Sequence, residues 1–320
     1  MGYTASRILG PSNEQLRLSL IQDNKRVFAS ITSEHIPEGA SPLSRFIPEQ
    51  LPPLNESDRP YKDSAHKTKV QVINGDSLVI ARELMDDIGD DARGKTAVLN
   101  LASDEHPGGG WEHGSVAQEE CLCYSSTLFH TLCQADTLVH YPWPNTGPGS
   151  IAGIFSEGVV IFRGPLNTIY SGTRADVFQN ERSNDGGTSS NSICPLLPHD
   201  ERKVISVISV AAPRYPKLTS DGNDFADEKI KEEFKEKVRL VLRIGGHEGK
   251  RYLVLGAMGC GAYFCPPLAV ARLMKNVLIE PEFRGWFARI VSAVFSPSGT
   301  LGIGVSNFEV FKDVLNDMEL

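Results

Sequence analysis

The chain has 320 residues, of which 40% are hydrophobic and 22% charged, and its formal net charge is −8 at pH 7. This length allows a large buried core, and the acidic balance argues against a broad basic surface for a polyanion. Any phosphate groups would be held locally, by backbone N–H groups and helix N-termini. No apolar run is long enough to cross a bilayer and the N-terminus has no apolar signal core, so we expect an intracellular protein, cytoplasmic or nuclear.

The cysteines and histidines predict neither a disulfide scaffold nor a metal site. Six cysteines are few for a chain of this length, and Cys121 and Cys123 lack the second close pair of a zinc site. The eight histidines show no ligand spacing and form no cluster along the sequence. We therefore expect reduced thiols, no metal and no cofactor.

The N-terminal part of the chain, residues 1–65, has the character of an accessory extension. Ser12 and Gln15 have capping-box spacing ahead of a periodic apolar run, which predicts a helix. Six prolines between residues 37 and 60 then predict an extended, irregular segment that lies over the core. Residues 66–320 would form the main domain, on which this extension packs.

From about residue 68 the pattern alternates between strands and helices. The predicted strands are residues 70–73, 97–101, 158–162, 204–210, 251–255 and 290–295. The predicted helices are residues 77–88, a segment after Gly114, residues 225–242 and residues 267–279. Residues 141–154 and 180–191 form long polar connections. This alternation predicts an α/β fold with helices on both faces of the sheet.

Three loops that follow predicted strands carry unusual residues. The first contains Asp76, which alone would be assigned as a helix N-cap. The second is PGGGWEHGSVAQEE, residues 107–120, and the third is GAMGCGAYFCPP, residues 256–267. Because the carboxyl ends of strands in an open α/β sheet meet at one edge, we expect these loops to form one ligand site.

The second loop combines three consecutive glycines with the adjacent acids Glu119 and Glu120. Three glycines are hard to explain as a simple turn, and their clearest use is to let a ligand approach the backbone. The acids alone have two interpretations, as first-turn residues favoured by the helix dipole or as a catalytic pair. The neighbouring glycines favour the catalytic interpretation.

These motifs together resemble one known family. Three glycines, seven residues and then Gln-Glu-Glu resemble the signature of the poly(ADP-ribose) glycohydrolases, and residues 98–102, 121–128 and 255–263 resemble the bacterial-type branch. The similarity covers roughly residues 68–300. It implies a macrodomain-like three-layer α/β/α sandwich with a mixed central sheet, and residues 1–65 are similar to the accessory extension of that branch.

The resemblance also implies a role for each site residue. Glu120 would be the catalytic acid, Glu119 would hydrogen-bond the distal ribose, and Asp76 would bind the adenine amino group. The remaining substrate-binding residues would be Ser103, Gly108, Gly109, Gly110, Gln118, Gly259, Cys260, Gly261, Ala262 and Tyr263. Of these, Gly108 to Gly110 would hold the ribose and diphosphate, residues 259–262 would bind the diphosphate through their amides, and Tyr263 would pack over the ligand. Two departures concern ribose placement, since Ser103 and Phe264-Cys265-Pro266 stand where the family often has asparagine.

The resemblance implies a glycosidase that cleaves the ribose–ribose O-glycosidic bonds of poly(ADP-ribose) from the chain terminus and releases ADP-ribose, as part of ADP-ribosylation reversal in the DNA damage response. An acid beside a second carboxylate and a diphosphate would have the raised pKa that proton donation needs. Two alternatives remain open: a hydrolase of mono-ADP-ribosylated protein or nucleic acid, and a macrodomain that binds ADP-ribose without cleaving it. We expect a monomer that neither binds nucleic acid sequence-specifically nor associates with membranes.

Overall fold

The computed structural model describes residues 12–62, 67–167, 193–296 and 305–320. Within these ranges the strands are β1 (Ser44–Ile47), β2 (Lys69–Ile73), β3 (Thr96–Leu101), β4 (Gly153–Ile161), β5 (Lys203–Val210), β6 (Tyr252–Gly256), β7 (Arg289–Ala293) and β8 (Met318–Glu319). The helices are α1 (Asn13–Glu34), α2 (Ser77–Ile88), α3 (Gln118–Ser125), α4 (Leu128–Leu132), α5 (Ala135–Leu138), α6 (Glu228–His247), α7 (Pro267–Leu278) and α8 (Asn307–Leu315). The predicted loop at residues 180–191 lies outside the described residues.

All eight of these strands form one mixed sheet in the order β1-β4-β5-β3-β6-β7-β2-β8. The five strands from β5 to β2 run parallel to one another, whereas β1, β4 and β8 pair antiparallel with their neighbours. Parallel strands are buried on both faces, and their near-continuous apolar sequences agree with that position. The predicted α/β fold with a mixed central sheet is confirmed.

Two apolar clusters separate the sheet from a layer of helices on each face. One cluster contains buried side chains of α1, α2, α3 and α4, and the other contains those of α6, α7 and α8. The amphipathic pattern of α6 and α7, with buried residues three or four positions apart, explains why each of them lies flat on the sheet. The result is the three-layer arrangement that the family resemblance implied.

The helix starts follow the sequence closely, but α6 is shifted from its prediction. The Ser12 and Gln15 side chains form the expected capping box on α1. The helix predicted at residues 225–242 begins after Asp227, which caps it, and continues through Gly246 to His247. A Cβ on Gly246 would lie 2.5 Å from Leu54, so this glycine allows close packing on the extension rather than ending the helix.

The proline-rich part of the extension is more regular than predicted, because it contains β1. This strand lies between Pro42 and Pro48 and pairs with β4 at the edge of the sheet, where a strand needs hydrogen bonds on one side only. Strand β4 itself begins at Gly153, inside the segment predicted as a connection over residues 141–154. The backbone of residues 39–41 crosses directly over Gly158, where a side chain would collide with it.

The C-terminal elements α8 and β8 were not predicted. Helix α8 has a capping box formed by Ser306 and Glu309 and packs against α7, and β8 pairs with β2 through two residues. The described part of the extension, residues 12–62, contributes to the same core and the same sheet as the rest of the chain. The boundary at residue 65 stays a prediction. Among the described helices, none is both long and apolar enough to cross a membrane.

Candidate functional site

The three unusual loops meet at the carboxyl edge of the parallel strands, as predicted from the position of each loop directly after a strand. They follow β2, β3 and β6, and the segments that follow β5 and β7 join them there. Three adjoining cavities lie along this edge, and Leu101 and Ala117 contribute to the walls of all three. The arrangement is a continuous trench across the ends of the strands.

The trench has an acidic end, a narrow middle and an apolar end. The acidic cavity, about 760 Å³, contains Glu119 and Glu120 in its wall. The linking cavity, about 100 Å³, is lined by the loop after β6. The apolar cavity, about 460 Å³, contains Asp76 together with Val79, Val294 and Phe295. The trench therefore offers acid chemistry at one end and a surface for a flat, apolar group at the other.

Glu119 is fixed by hydrogen bonds to both of its carboxylate oxygens. It begins the buried face of α3 and is only 4% exposed. Oε1 accepts from Asn100 Nδ2 at 3.0 Å, and Oε2 accepts from the Ser103 N–H at 2.7 Å. Burial raises the pKa of Glu119 to about 8, against the hydrogen bonds from Asn100 and Ser103 and with a smaller contribution from the charge of Glu120. Burial, more than the repulsion expected from the sequence, is the cause of the shift.

Glu120 has one oxygen held and one oxygen free. Its Oε1 accepts from the Gly110 N–H at 2.7 Å. Its Oε2 is buried without a hydrogen-bond partner among the described residues, although the side chain lies in the wall of the acidic cavity. An unsatisfied buried polar atom is costly, and a catalytic role, a bound water or a bound ion are among its explanations. Among the described residues, Oε2 of Glu120 is the carboxylate oxygen of the pair that has no donor.

The three glycines pack against the protein itself, which corrects the reason given for them above. Gly109 has φ +59°, and a Cβ there would lie 2.6 Å from Glu120 Oε1. A Cβ on Gly108 would lie 2.8 Å from the Phe129 ring. Gly109 and Gly110 line the acidic cavity, but their N–H groups donate to the His106 carbonyl and to Glu120. These glycines let the loop close on its acids, and neither of these amides is left for a diphosphate.

The loop after β6 has the free amides that the glycine loop lacks. Gly259, Gly261, Ala262 and Tyr263 all line the linking cavity, and their N–H groups donate to no acceptor among the described residues. Cys260 differs, because its N–H donates to the Ala257 carbonyl and it does not line this cavity. Successive free amides of this kind form a concave anion site. These N–H groups are available to bind an anion at the linking cavity.

The polar side chains of Asp76, Ser103 and Gln118 form hydrogen bonds with the protein backbone. Asp76 lines the apolar cavity, caps α2 through the N–H groups of Leu78 and Val79, and has its pKa raised by burial. Ser103 lines the acidic cavity, but its hydroxyl accepts from the backbone of the following loop. The Gln118 amide bridges the backbone of β3, donating to Leu99 O and accepting from Leu101 N. The Gln118 side chain therefore fixes the end of β3 through two backbone hydrogen bonds.

Tyr263 belongs to a polar cluster at the rim of the acidic cavity. Its hydroxyl donates to Asp104 Oδ1 at 3.0 Å, and the Arg214 guanidinium lies over its ring at 5.2 Å and pairs with Asp104. Arg214 and Tyr215 follow β5 and line the same cavity, although the sequence analysis assigned them no role. No local motif marks them, since they reach the site only through the pairing of β5 with β3.

Asn100 and Phe295 were also missed as site residues. Asn100 is fully buried and donates through Nδ2 both to Glu119 and to Ser209 Oγ. The sequence predicts Asn100 inside a strand, where no local pattern indicates a contact with Glu119. Phe295 was predicted as the last residue of a strand, but β7 ends at Ala293, and the ring lies in the wall of the apolar cavity with 52% exposure.

A family comparison agrees with the motifs. Residues 23–164 match the family model for the catalytic domain of microbial-type PARG, the poly(ADP-ribose) glycohydrolases. This segment contains the glycine loop and both glutamates, so the resemblance stated from the motifs is confirmed over these residues. No curated protein sequence matches the chain.

Comparison with solved structures confirms the fold over nearly the whole chain. A poly(ADP-ribose) glycohydrolase from Thermomonospora curvata is 23% identical with a TM-score of 0.65, covering 93% of this chain and 98% of that one. The same enzyme bound to the inhibitor ADP-HPD is 24% identical with a TM-score of 0.62 over the same shares. A poly(ADP-ribose) glycohydrolase from Deinococcus radiodurans in complex with ADP-ribose is 23% identical with a TM-score of 0.60, covering 89% and 95% of the two chains.

Proposed function

We propose that this protein is a poly(ADP-ribose) glycohydrolase that cleaves ribose–ribose O-glycosidic bonds and releases ADP-ribose. The observation that carries the proposal is the free Oε2 of Glu120 in a trench whose middle presents four unpaired amides. An ADP-ribose unit has the matching order of parts, since its adenine, diphosphate and distal ribose would occupy the apolar, linking and acidic cavities. The family match over residues 23–164 supports the same conclusion.

Cleavage would begin with a proton transfer from Glu120. The carboxyl proton on Oε2 goes to the oxygen of the leaving ribose as the bond from that oxygen to the anomeric carbon breaks, which leaves an oxocarbenium-like centre. A water molecule then adds to that carbon and returns a proton to Glu120. The N–H of Gly110 holds the other oxygen throughout, so the carboxyl group keeps its orientation.

Glu119 would position the ribose beside the acid. Burial raises the pKa of Glu119 to about 8, so this carboxyl group can retain a proton near neutral pH. Both oxygens of Glu119 already accept N–H hydrogen bonds, whereas Glu120 has an oxygen without a donor among the described residues, which favours Glu120 as the group that contacts the scissile bond. The remaining lone pairs of Glu119 would accept hydrogen bonds from the ribose hydroxyls, in the role that the family resemblance implies.

We further propose that cleavage proceeds from the chain terminus, because the N-terminal extension supports the wall of the acidic cavity. Arg17 Nε of α1 donates to the Gly114 carbonyl at 2.7 Å, and Lys25 pairs with Glu112, which lines that cavity. A helix fixed there would block a polymer that continues past the distal ribose. The protein would act as a monomer on poly(ADP-ribose) or ADP-ribosylated protein.

An intracellular location would suit this substrate. The six cysteines form no disulfide among the described residues, which would suit a reducing compartment. Microscopy of the tagged protein would distinguish a nuclear from a cytoplasmic location.

The function is tested by incubating the full chain with labelled poly(ADP-ribose), mono-ADP-ribosylated protein and ADP-ribosylated nucleic acid in parallel. We expect free ADP-ribose from the polymer, with few oligomers early in the digestion. Turnover of only the mono-ADP-ribosylated substrates would replace the proposal with the first alternative. Binding of ADP-ribose without turnover of any substrate would replace it with the second. Large oligomers at early times would refute cleavage from the terminus while leaving the glycohydrolase activity intact.

A further inference from the structure

A second group of reactive side chains lies at the edge of the sheet opposite the trench. Glu34 and His35 are at the C-terminal end of α1, and His199 lies in the turn before β5. One ligand atom from each of the three side chains lies within 4.8 Å of the other two. His35 and His199 line a cavity of about 340 Å³ that also reaches the end of α2. The sequence shows no histidine cluster at this place, because His35 and His199 come together only through the fold.

His35 is the unusual member of this group. The side chain is 3% exposed, and its Nε2 has no hydrogen-bond partner among the described residues. The ring is stacked on that of His199, with centroids 4.5 Å apart and planes 21° from parallel. A buried ring nitrogen without a partner is unfavourable unless something binds it. The stacked ring of His199 offers this nitrogen no hydrogen bond, so among the described residues Nε2 is available to a ligand.

We propose that Glu34, His35 and His199 bind one divalent transition-metal cation, with zinc as the ion that best fits the donor set. Two imidazole nitrogens and one carboxylate oxygen are typical zinc ligands, and a water would complete a tetrahedron. Zinc–nitrogen bonds are about 2.0–2.1 Å long and lie in the plane of each imidazole, so binding requires the His199 ring to turn out of its stack on His35 and the donor atoms to come closer. Glu34 and His199 are exposed and can move, while the buried His35 stays fixed.

The neighbours of the three side chains already have the positions of outer-shell partners. His35 Nδ1 faces Glu38 Oε2 at 3.7 Å, which leaves Nε2 as the ligand atom. Metal-bound histidines usually have their second ring nitrogen directed to a carboxylate or a carbonyl in this way. Arg202 occupies Oε2 of Glu34 at 2.7 Å and leaves Oε1 available for the metal.

The metal would join the N-terminal extension to the core. It would tie the end of α1 to the start of β5, while the other half of α1 contacts the glycine loop through Arg17 and Lys25. Since the metal site and Glu120 lie at opposite edges of the sheet, the ion would stabilise the fold and take no part in cleavage. Its binding is therefore measurable without any ADP-ribosylated substrate.

The test uses the full chain after dialysis against a chelator, titrated with Zn²⁺ alone in a calorimeter and then melted with and without the ion. We expect one equivalent to bind and the Tm to rise by about 4 °C at a hundredfold excess over Kd. His199→Gln should weaken binding by at least about tenfold, since loss even of an outer-shell partner typically costs about 10–100-fold. His199 is exposed, so this variant keeps the metal-free fold, which the metal-free Tm verifies.

The matched control is His247→Gln, an exposed histidine at the end of α6 outside the cavity. It should bind zinc as the unmodified chain does. Titration with Co²⁺ adds a spectroscopic readout, because tetrahedral coordination gives strong visible absorption that His199→Gln should lose. Equal affinities of His199→Gln and the unmodified chain would overturn the proposal, as would the absence of saturable binding to the unmodified chain.

Discussion

The variant Glu120→Gln isolates the proton transfer from the other functions of the trench. The amide keeps the size of the carboxylate, and its Oε1 can still accept the 2.7 Å hydrogen bond from the Gly110 N–H. The NH₂ group takes the place of Oε2, the atom without a partner among the described residues. The change therefore removes the transferable proton and leaves the glycine loop and the free amides as they are.

The size of the effect follows from the chemistry at that one oxygen. General acid catalysis contributes about 10²–10⁴ in rate, so we expect turnover to fall by at least that factor. The corresponding rise in the activation barrier is about 3–5 kcal/mol. ADP-ribose affinity should change little, because the linking and apolar cavities supply the diphosphate and adenine contacts. The Tm should not fall, since a neutral amide replaces a buried ionisable group.

The assay compares release of ADP-ribose from polymer with ADP-ribose binding measured by calorimetry. Glu157→Gln is the matched control, because Glu157 is exposed on β4 and lies outside the three cavities of the trench. We expect the control to equal the unmodified chain in both measurements. If Glu120→Gln keeps most of its turnover on every ADP-ribosylated substrate, the acid is another residue and the assignment from the free oxygen fails.

Three further outcomes are expected. A raised folded-state pKa adds stability that is complete below the ordinary value of 4.5 and is lost as pH rises through about 8, so Glu119→Gln should flatten the fall in Tm across that window in melts at stepped pH. Gly261→Val should lower ADP-ribose affinity at least about tenfold in calorimetry with an unchanged Tm, because its Cβ would face open space over the linking cavity. Gly259→Ala should instead lower the Tm, because Gly259 has φ +77° and a Cβ there would lie 2.6 Å from the Cys265 sulfur. Gly109→Ala should reduce turnover more than affinity, because its Cβ would displace the catalytic carboxylate; a loss of affinity alone would contradict this.

The local elements were predictable because their signals are local. Helix α2 matches its predicted bounds of 77–88, and the six predicted strands are all present with shifts at their ends. Strand β1 was missed because prolines on both sides hide a four-residue edge strand, and β8 because two residues carry no period. β1 is a strand because it pairs with β4, and β8 is a strand because it pairs with β2. No local sequence pattern indicates these pairings.

The convergence of the site was predictable, but the contacts inside it were not. Strand order and chain direction bring the loops with Asp76, Glu120 and Gly261 to one edge in any parallel α/β sheet. Which amide is free depends on hydrogen bonds between loops, so Gly261 and Gly110, both glycines of predicted binding loops, have different roles. The pairing of His35 with His199 was invisible for the same reason.

The two adjacent glutamates show how the fold gives a repeated residue two different environments. Glu119 and Glu120 are adjacent and both buried, so neither residue type nor burial distinguishes them. Asn100 and the Ser103 N–H occupy both oxygens of Glu119, and Gly110 occupies only one oxygen of Glu120. Two donors come from strand β3 and the turn after it, and the third comes from the glycine loop. The Asn100 side chain and the backbone of two loops therefore determine that, among the described residues, only Glu120 of the pair keeps an oxygen without a donor.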